Sequence, residues 1–159
     1  MKKKILFVCM GNICRSPSAE AVFTKLVNDN GYADFFEIDS AGIGGWYVGE
    51  KADPRMRKHA AKRNYNLTSL ARKFDPSVDF DHFDMIIGMD DENIYDLKMK
   101  ARNTKDTTRI YKMTAFRKTF KYNSIPDPYY GGDEGFELVL DLLEDACEGL
   151  FEKLVRELN

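Results

Sequence analysis

Residues 5–17 read ILFVCMGNICRSP, an apolar run that passes directly into a cysteine, five further residues, an arginine, a serine and a proline. The apolar run predicts a buried strand, and Pro17 suits the first turn of a helix. Five residues between Cys9 and Arg15 allow the backbone to curl until successive N–H groups converge on one anion. The Arg15 guanidinium can then close over that anion with two parallel hydrogen bonds. The stretch therefore predicts a strand, a phosphate-binding loop, and a helix whose positive end faces the phosphate.

A thiol at the base of such a loop is a candidate nucleophile, because N–H groups, an arginine and a helix N-terminus all favour negative charge there. Gly11 and Asn12 are residue types that tolerate the left-handed backbone a tight anion loop needs. The alternative is that Cys9 is a buried strand-end cysteine that happens to precede a helix. The strand before it and the helix after it favour the phosphate site.

Short β-rich runs alternate with helical patterns along the rest of the chain. The predicted strands are Ile5–Cys9, Phe36–Ser40, Met85–Met89 and Thr108–Met113. The predicted helices are an apolar stripe from Ala19 to Val27, a helix capped by Asp53 and begun by Pro54, a helix over Asp91–Lys100, and a long final helix with apolar residues from Phe136 to Leu158. Cys147 lies on the apolar face of that final helix. This alternation predicts an α/β fold, a doubly wound parallel sheet with helices on both faces, as one domain over residues 1–159.

Asp90 follows the third predicted strand, and ligands of such sheets bind beyond the carboxyl ends of the strands, where the winding reverses. If the first strand is central, Asp90 lies across the crevice from the Cys9 loop. It could then brace the loop by accepting hydrogen bonds from the backbone or from Asn12. It could equally cap the helix that begins near Asp91, because aspartate is a preferred N-cap.

Asp127 lies between two prolines, which fix the backbone on either side of its carboxylate. Breaking the phosphate ester of a phenol needs a proton for the departing oxygen, and a rigidly held aspartate can supply it. Tyr129 and Tyr130 follow and offer aromatic walls for an aryl group. Alone, this segment reads as a proline and glycine turn. Together with the cysteine loop, the segment is predicted to belong to the catalytic site.

Composition limits the remaining possibilities. The 159 residues carry a net charge of −2 and are 43% hydrophobic, so there is no basic footprint for nucleic acid. No apolar run is long enough for a membrane span, and three cysteines make no disulfide framework, so a cytoplasmic protein is expected. We also expect a monomer. His59 and His82 are isolated in sequence, which predicts surface or packing residues and neither a metal site nor a cofactor.

With these motifs in place, the chain resembles the low molecular weight protein tyrosine phosphatases. The matching stretches are Val8–Pro17, Asp39–Gly42, Trp46, Asp53–Arg55, Ala71–Arg72, Met89–Asp90 and Asp127–Gly131. The resemblance implies a four-stranded parallel sheet in the order 2-1-3-4. It also implies phosphotyrosine-containing proteins as partners. One departure is Ser69, at a position near Ala71 where many members carry a histidine that joins the network around the loop.

The resemblance also implies roles for individual residues. Cys9 is the expected nucleophile, Arg15 the phosphate clamp and Asp127 the general acid. The phosphate is expected to be bound by the loop residues Met10, Gly11, Asn12, Ile13, Cys14, Arg15 and Ser16. The loop is expected to be supported by Asn12, Ser16, Ser40 and Asp90. The substrate cleft is expected to be lined by Met10, Ile13, Trp46, Tyr47, Tyr129 and Tyr130.

Cys9 and Cys14 face each other across the predicted loop. Mild oxidation of Cys9 is therefore expected to be captured by Cys14 as a disulfide. The alternative is that Cys14 is only a small residue packed beneath the loop.

Three other functions share parts of this pattern. A phosphoarginine phosphatase of the same family would resemble a pattern with threonine at the position of Ile13. A thioredoxin-coupled arsenate reductase would need further cysteines after the third strand, and residues 74–100 contain none. A non-catalytic phosphotyrosine-binding module would have no use for Cys9 together with Asp127.

Overall fold

The fold is a four-stranded parallel sheet, seen in a computed structural model that describes residues 1–129 and 132–158. Its strands are β1 (Lys3–Cys9), β2 (Phe36–Gly42), β3 (Met85–Gly88) and β4 (Ile110–Lys112), in the order β2-β1-β3-β4. Strand β1 is central, since its Ile5 is in register with Ile38 of β2 and with Met85 of β3. The predicted fold class and strand order are confirmed.

Six helices connect and cover the strands in the described part of the chain. They are α1 (Arg15–Asp29), α2 (Pro54–Ala61), α3 (Pro76–His82), α4 (Asp91–Lys100), α5 (Thr104–Thr107) and α6 (Asp133–Leu158), with 3₁₀ turns at Ala33–Phe35 and Met113–Phe116. The carboxylate of Asp53 accepts the N–H groups of Arg55 and Met56, as expected for the cap of α2. None of these helices is long and apolar enough to cross a bilayer.

The apolar run of β1 is explained by burial on both faces of the sheet. Residues 5–8 are completely buried. Ile5 and Phe7 belong to the core beneath α1 and α6, whereas Leu6 and Val8 belong to the core on the opposite face, with Phe80 of α3. Successive side chains of a strand point to opposite faces, so a strand covered on both sides is apolar at every position. The Cys9 loop therefore begins at the end of a completely buried strand.

Helix α6 lies against α1 and α2 and buries most of the stripe expected from its sequence. Cys147 is fully buried in this stripe, and burial raises the pKa of its thiol. The stripe ends earlier than predicted, because Leu154 is its last buried residue and Leu158 is exposed.

All four predicted strands have slightly different limits in the structure. Strand β1 begins two residues earlier than predicted, at Lys3, and β3 ends one residue earlier, at Gly88. Strand β4 is shorter than Thr108–Met113, because Thr108 is the C-cap of the short helix α5 and Met113 opens a 3₁₀ turn. Strand β2 is longer than predicted and continues to Gly42. A side chain at Gly42 would come within about 3 Å of the backbone at Gly11, so the glycine lets the end of β2 approach the cysteine loop closely.

Candidate active site

The loop between β1 and α1 is curled as its sequence predicts, although only one of Gly11 and Asn12 has the left-handed backbone. Asn12 has a φ of 58°, in the left-handed region. Gly11 is not among the described glycines with positive φ. Its missing side chain instead leaves room for the Tyr47 ring, which would lie 3.0 Å from an added Cβ. The described residues supply no acceptor for the N–H groups of Ile13 and Cys14, which leaves these donors for an anion.

Asn12 is the centre of the contacts that hold the loop in shape. Its side-chain nitrogen donates to the hydroxyls of Ser16 at 2.8 Å and Ser40 at 3.0 Å. Its side-chain oxygen accepts the backbone N–H of Arg72 at 3.0 Å. A side-chain amide can make four hydrogen bonds, and three of them are made here. The structure thus places Asn12, Ser16 and Ser40 in one network beneath the loop.

Cys9 ends β1 with its side chain at the N-terminus of α1. It is 3% exposed, and its Sγ lies 3.1 Å from the Ser16 hydroxyl and 3.4 Å from the Ser16 backbone N–H, which donates to it. Reactive cysteines are found where hydrogen-bond donors and a helix N-terminus face the sulfur. The sulfur is therefore placed as an anionic nucleophile requires.

Arg15 is held in place by two acceptors on the far side of the loop. Its Nη1 donates to Asp90 Oδ2 at 2.6 Å and to the carbonyl of Ile125 at 3.0 Å. Burial alone would lower the pKa of Arg15, but the negative charges of Cys9, Asp90 and Asp127 outweigh it, and the pKa is raised. The guanidinium is thus a permanent, pre-oriented cation beside the sulfur.

The partners of Asp90 correct one sequence-based expectation. Neither Asn12 nor the loop backbone is its partner. Asp90 accepts from the Arg15 side chain, and its other oxygen accepts the Asn93 N–H at 2.7 Å as the cap of α4. The Asp90 carboxylate therefore both holds the Arg15 side chain and caps α4, because its two oxygens face different elements.

Asp127 faces Arg15 from the opposite wall. Its Oδ2 lies 3.7 Å from Arg15 Nη2, and its Oδ1 accepts the Tyr129 N–H at 3.0 Å. The preceding segment is anchored by Ile125, whose N–H donates to the Met89 carbonyl at 2.8 Å. The Asp127 side chain remains about half exposed (48%), so solvent can exchange protons with it.

A cavity of about 160 Å³ joins these groups. It is lined by Cys9, Met10, Gly11, Ile13, Cys14, Arg15, Trp46, Tyr47, Asp127 and Tyr129. The lining includes every residue predicted for the cleft except Tyr130, which lies outside the described residues. Trp46 stands at the rim with 69% of its surface exposed, and its ring covers Gly44 so closely that an added Cβ would lie 1.8 Å from it.

The supporting network extends to residues that sequence reasoning missed. Glu20 accepts the Ser40 hydroxyl at 2.6 Å, and burial raises its pKa while hydrogen bonds from Ser40 and Ser69 oppose the rise. Ser69, which departs from the family pattern, is thus the far end of a chain of contacts that leads through Glu20, Ser40 and Asn12 to the loop. Glu20 lies four residues after Ser16 on α1, and this spacing was a usable signal.

The two histidines lie away from this cavity. The ring of His59 is buried, stacks on Phe136 and hydrogen-bonds Glu137 and Asp133. The ring of His82 hydrogen-bonds Glu37 at the surface. In the described residues, no three histidine, cysteine or acidic side chains are grouped so as to hold a metal ion.

Comparison with known proteins agrees with the geometry. Residues 4–159 match the model of a family described as low molecular weight phosphotyrosine protein phosphatase. The chain belongs to this family. The resemblance inferred from the motifs is confirmed, and the protein is an enzyme of the low molecular weight protein-tyrosine-phosphatase type.

Individual relatives cover nearly the whole chain. The low molecular weight phosphotyrosine protein phosphatase of Sus scrofa is 40% identical over 152 residues, which is 96% of each chain. The crystal structure of a protein tyrosine phosphatase from Entamoeba histolytica, with Hepes in its active site, has 44% identity and a TM-score of 0.95, covering 99% of this chain and 100% of that one. A Drosophila arginine phosphatase has 30% identity and a TM-score of 0.87, covering 97% of this chain and 98% of that one.

Proposed function

We propose that this phosphatase hydrolyses phosphotyrosine monoesters on proteins through a cysteinyl-phosphate intermediate. One observation carries the proposal: the Cys9 sulfur, the Arg15 guanidinium and the Asp127 carboxylate line the same small cavity. A nucleophile, a clamp for the transferred group and an acid for the leaving group are the three parts that such a displacement needs.

In the first step, the Cys9 thiolate attacks phosphorus in line with the departing phenol oxygen. Arg15 and the N–H groups of the loop hold the three equatorial oxygens, where charge is greatest in the transition state. The S–P bond forms as the P–O bond to the phenol breaks. Asp127 donates its proton to that oxygen, so tyrosine leaves as the neutral phenol.

In the second step, the ionised Asp127 accepts a proton from a water molecule that attacks the phosphorus. The S–P bond breaks, inorganic phosphate is released, and Asp127 regains the proton it needs for the next cycle. The leaving thiolate is stabilised by the Ser16 hydroxyl at 3.1 Å and the Ser16 N–H at 3.4 Å. Ser16 therefore assists the second step more than the first.

The depth of the cavity supports an aryl substrate. Cys9 is almost completely buried at the base, whereas Trp46 is largely exposed at the rim. The aromatic walls between them are Tyr47 and Tyr129. A phosphotyrosine ring fills this depth and stacks against the walls, whereas the shorter phosphoserine side chain would have to bring peptide backbone into the cavity.

A second candidate is phosphoarginine, because a structural neighbour with 30% identity is an arginine phosphatase. Ile13 lies in the cavity and argues against it, since its apolar end faces a guanidinium poorly and an aryl ring well. The test is kcat/KM for two peptides of the same sequence that carry either phosphotyrosine or phosphoarginine. We expect phosphotyrosine to be preferred, and we expect Ile13→Thr to raise the phosphoarginine-to-phosphotyrosine ratio by about tenfold.

Val48→Thr is the matched control for that experiment. It makes a similar change, from an apolar β-branched side chain to threonine, at an exposed position outside the cavity, so the ratio should not change. A wild-type preference for phosphoarginine would contradict the proposed substrate class.

Oxidation provides a further prediction. Peroxide converts the Cys9 thiolate to the sulfenic acid, and the Cys14 thiolate then attacks that sulfur to form the S–S bond while hydroxide leaves and is protonated to water. Burial and the charges of Asp53 and Cys9 raise the pKa of Cys14, so little of it is ionised at neutral pH. We therefore expect the yield of the Cys9–Cys14 disulfide, measured by mass spectrometry, to rise as the pH is raised.

Dithiothreitol should restore the activity of the disulfide form. Cys147 serves as the internal control, because it is fully buried and should form no crosslink. Inactivation by peroxide without any Cys9–Cys14 crosslink at alkaline pH would show that Cys14 does not protect Cys9.

A further inference from the structure

The segment that carries Asp127 is fixed at two points, one on each side of the carboxylate. Upstream, Ile125 is bound through its N–H to Met89 and through its carbonyl to Arg15. Downstream, the carbonyl of Tyr129 accepts a hydrogen bond from Arg55 Nη2 at 3.1 Å. The upstream contacts belong to the site already described. The downstream contact comes from α2, which supplies no residue to the reaction.

Arg55 is itself held in a fixed orientation. Its Nε and Nη2 lie 3.3 Å and 3.1 Å from the two carboxylate oxygens of Asp53, which form a fork opposite the guanidinium. The guanidinium also lies over two aromatic rings, 5.4 Å from the centroid of Tyr129 and 4.9 Å from that of Phe136. A planar group that contacts two rings and a carboxylate cannot be replaced by a point charge.

The base of this arrangement is joined to the phosphate-binding loop. The backbone N–H of Asp53 donates to the carbonyl of Ile13 at 2.8 Å. At the other end, the Tyr129 N–H donates to Asp127 Oδ1 at 3.0 Å, so a shift of Tyr129 moves the carboxylate. The contacts therefore run from the loop through Asp53, Arg55 and Tyr129 to Asp127.

Stability alone does not account for this cluster. The Arg55 side chain is 48% exposed, and exposed ion pairs contribute little to the free energy of unfolding. The orientation of the Arg55 guanidinium is nevertheless tightly fixed, because the group contacts a carboxylate, a carbonyl and two rings. These contacts fix the distance between the phosphate-binding loop and the segment that carries Asp127, which must act on the same phosphoryl group.

We propose that Arg55 is a positioning residue that sets the placement of the Asp127 carboxylate relative to the phosphate-binding loop, acting through the backbone of Tyr129. The inference rests on the proposed function, because it assumes that Asp127 is the proton donor. Misplacement of a reacting group by about 1 Å can cost about a hundredfold in rate. Loss of Arg55 should therefore weaken proton delivery without damaging the anion site.

The test compares Arg55→Met with Arg57→Met by pre-steady-state release of the leaving phenol. Arg57 is the matched control, because it lies on the same helix and its side chain donates to Ala52, away from the Asp127 segment. For phenyl phosphate, a poor leaving group, Arg55→Met should be slower by about tenfold to a hundredfold. For para-nitrophenyl phosphate the change should be less than about threefold. Arg57→Met should match the wild type with both substrates, and affinity for inorganic phosphate should be unchanged throughout.

A double variant separates this role from a general loss of structure. If Arg55 acts through Asp127, adding Arg55→Met to Asp127→Asn should slow phenyl phosphate no further. Effects that multiply, equal slowing of both substrates, or wild-type rates in Arg55→Met would each overturn the inference. If Arg55→Met does not fold, Arg55→Lys decides by the same comparison, since the lysine keeps the charge and loses the fork.

The same measurements distinguish failure of the inference from failure of the proposed function. If Asp127→Asn shows the leaving-group dependence and Arg55→Met does not, only the role of Arg55 is wrong. If Asp127→Asn itself shows no leaving-group dependence, the assignment of Asp127 as the acid is wrong, and the role of Arg55 is then wrong as well.

Discussion

Cys9→Ser is expected to abolish turnover of phosphotyrosine substrates while leaving the anion site intact. A serine hydroxyl is a far weaker nucleophile than a cysteine sulfur, so the covalent step has no effective nucleophile. The fall in kcat should be at least about 10⁴-fold. Inorganic phosphate or vanadate should still bind, because the loop N–H groups and Arg15 form the anion site independently of the sulfur.

Cys147→Ala is the control for that variant. It removes the fully buried thiol of α6, which lies outside the cavity, so any loss of stability should leave the activity of the folded protein unchanged. Steady-state kinetics and calorimetric titration with phosphate measure the two effects separately. Appreciable turnover by Cys9→Ser would exclude the covalent mechanism.

Asp127→Asn is expected to have the second largest effect, and the effect should depend on the leaving group. A placed general acid contributes about 10² to 10⁴ in rate when the departing oxygen is basic. Phenyl phosphate should therefore be slowed by that factor, whereas an activated phenolate departs without a proton and its release should be little changed. The measurement is the rate of phenol release from a series of aryl phosphates of increasing acidity.

Asp91→Asn is the matched control for Asp127→Asn. Its side chain is 87% exposed at the start of α4 and pairs with Lys112, so the same change of charge occurs at the surface without contact with the cavity. A leaving-group dependence identical in wild type and Asp127→Asn would mean that another residue, or water, is the acid.

Much of this arrangement could be predicted from the sequence because local signals and topology agree. The apolar run before Cys9 predicts a strand buried on both faces, and Pro17 predicts the helix that follows. Once β1 is central, the carboxyl ends of β1 and β3 must be neighbours, so Asp90 had to lie near the loop. The spacing of Cys9 and Arg15 then predicts the anion loop without reference to distant contacts.

Some features could have been found and were missed. Helix α3 begins at Pro76 with Asp75 as its cap, which is the same pair of signals that predicts α2 at Asp53 and Pro54. Its seven residues were too short to show a helical period. A short helix is therefore better predicted from its cap than from its apolar pattern.

Other features depend on contacts that no local pattern contains. Arg15 and Asp90 are 75 residues apart, and Arg55 and Tyr129 are 74 residues apart. A side chain that holds a distant carbonyl has no sequence signature, because any carbonyl can accept the hydrogen bond. The same reason explains why the sequence suggested the loop backbone or Asn12 as the partner of Asp90, whereas the fold brings Arg15 there.

The most direct test of the proposed mechanism is detection of a phosphoryl group on Cys9. In Asp127→Asn, para-nitrophenyl phosphate should still phosphorylate the enzyme, because its leaving group needs no proton, while hydrolysis is slowed for want of a base. Rapid mixing followed by acid quench should give a burst of about one equivalent of nitrophenol per enzyme, and mass spectrometry should place the phosphoryl group on the peptide that contains Cys9. The absence of both the burst and the phosphopeptide, or a phosphoryl group on another residue, would contradict the account.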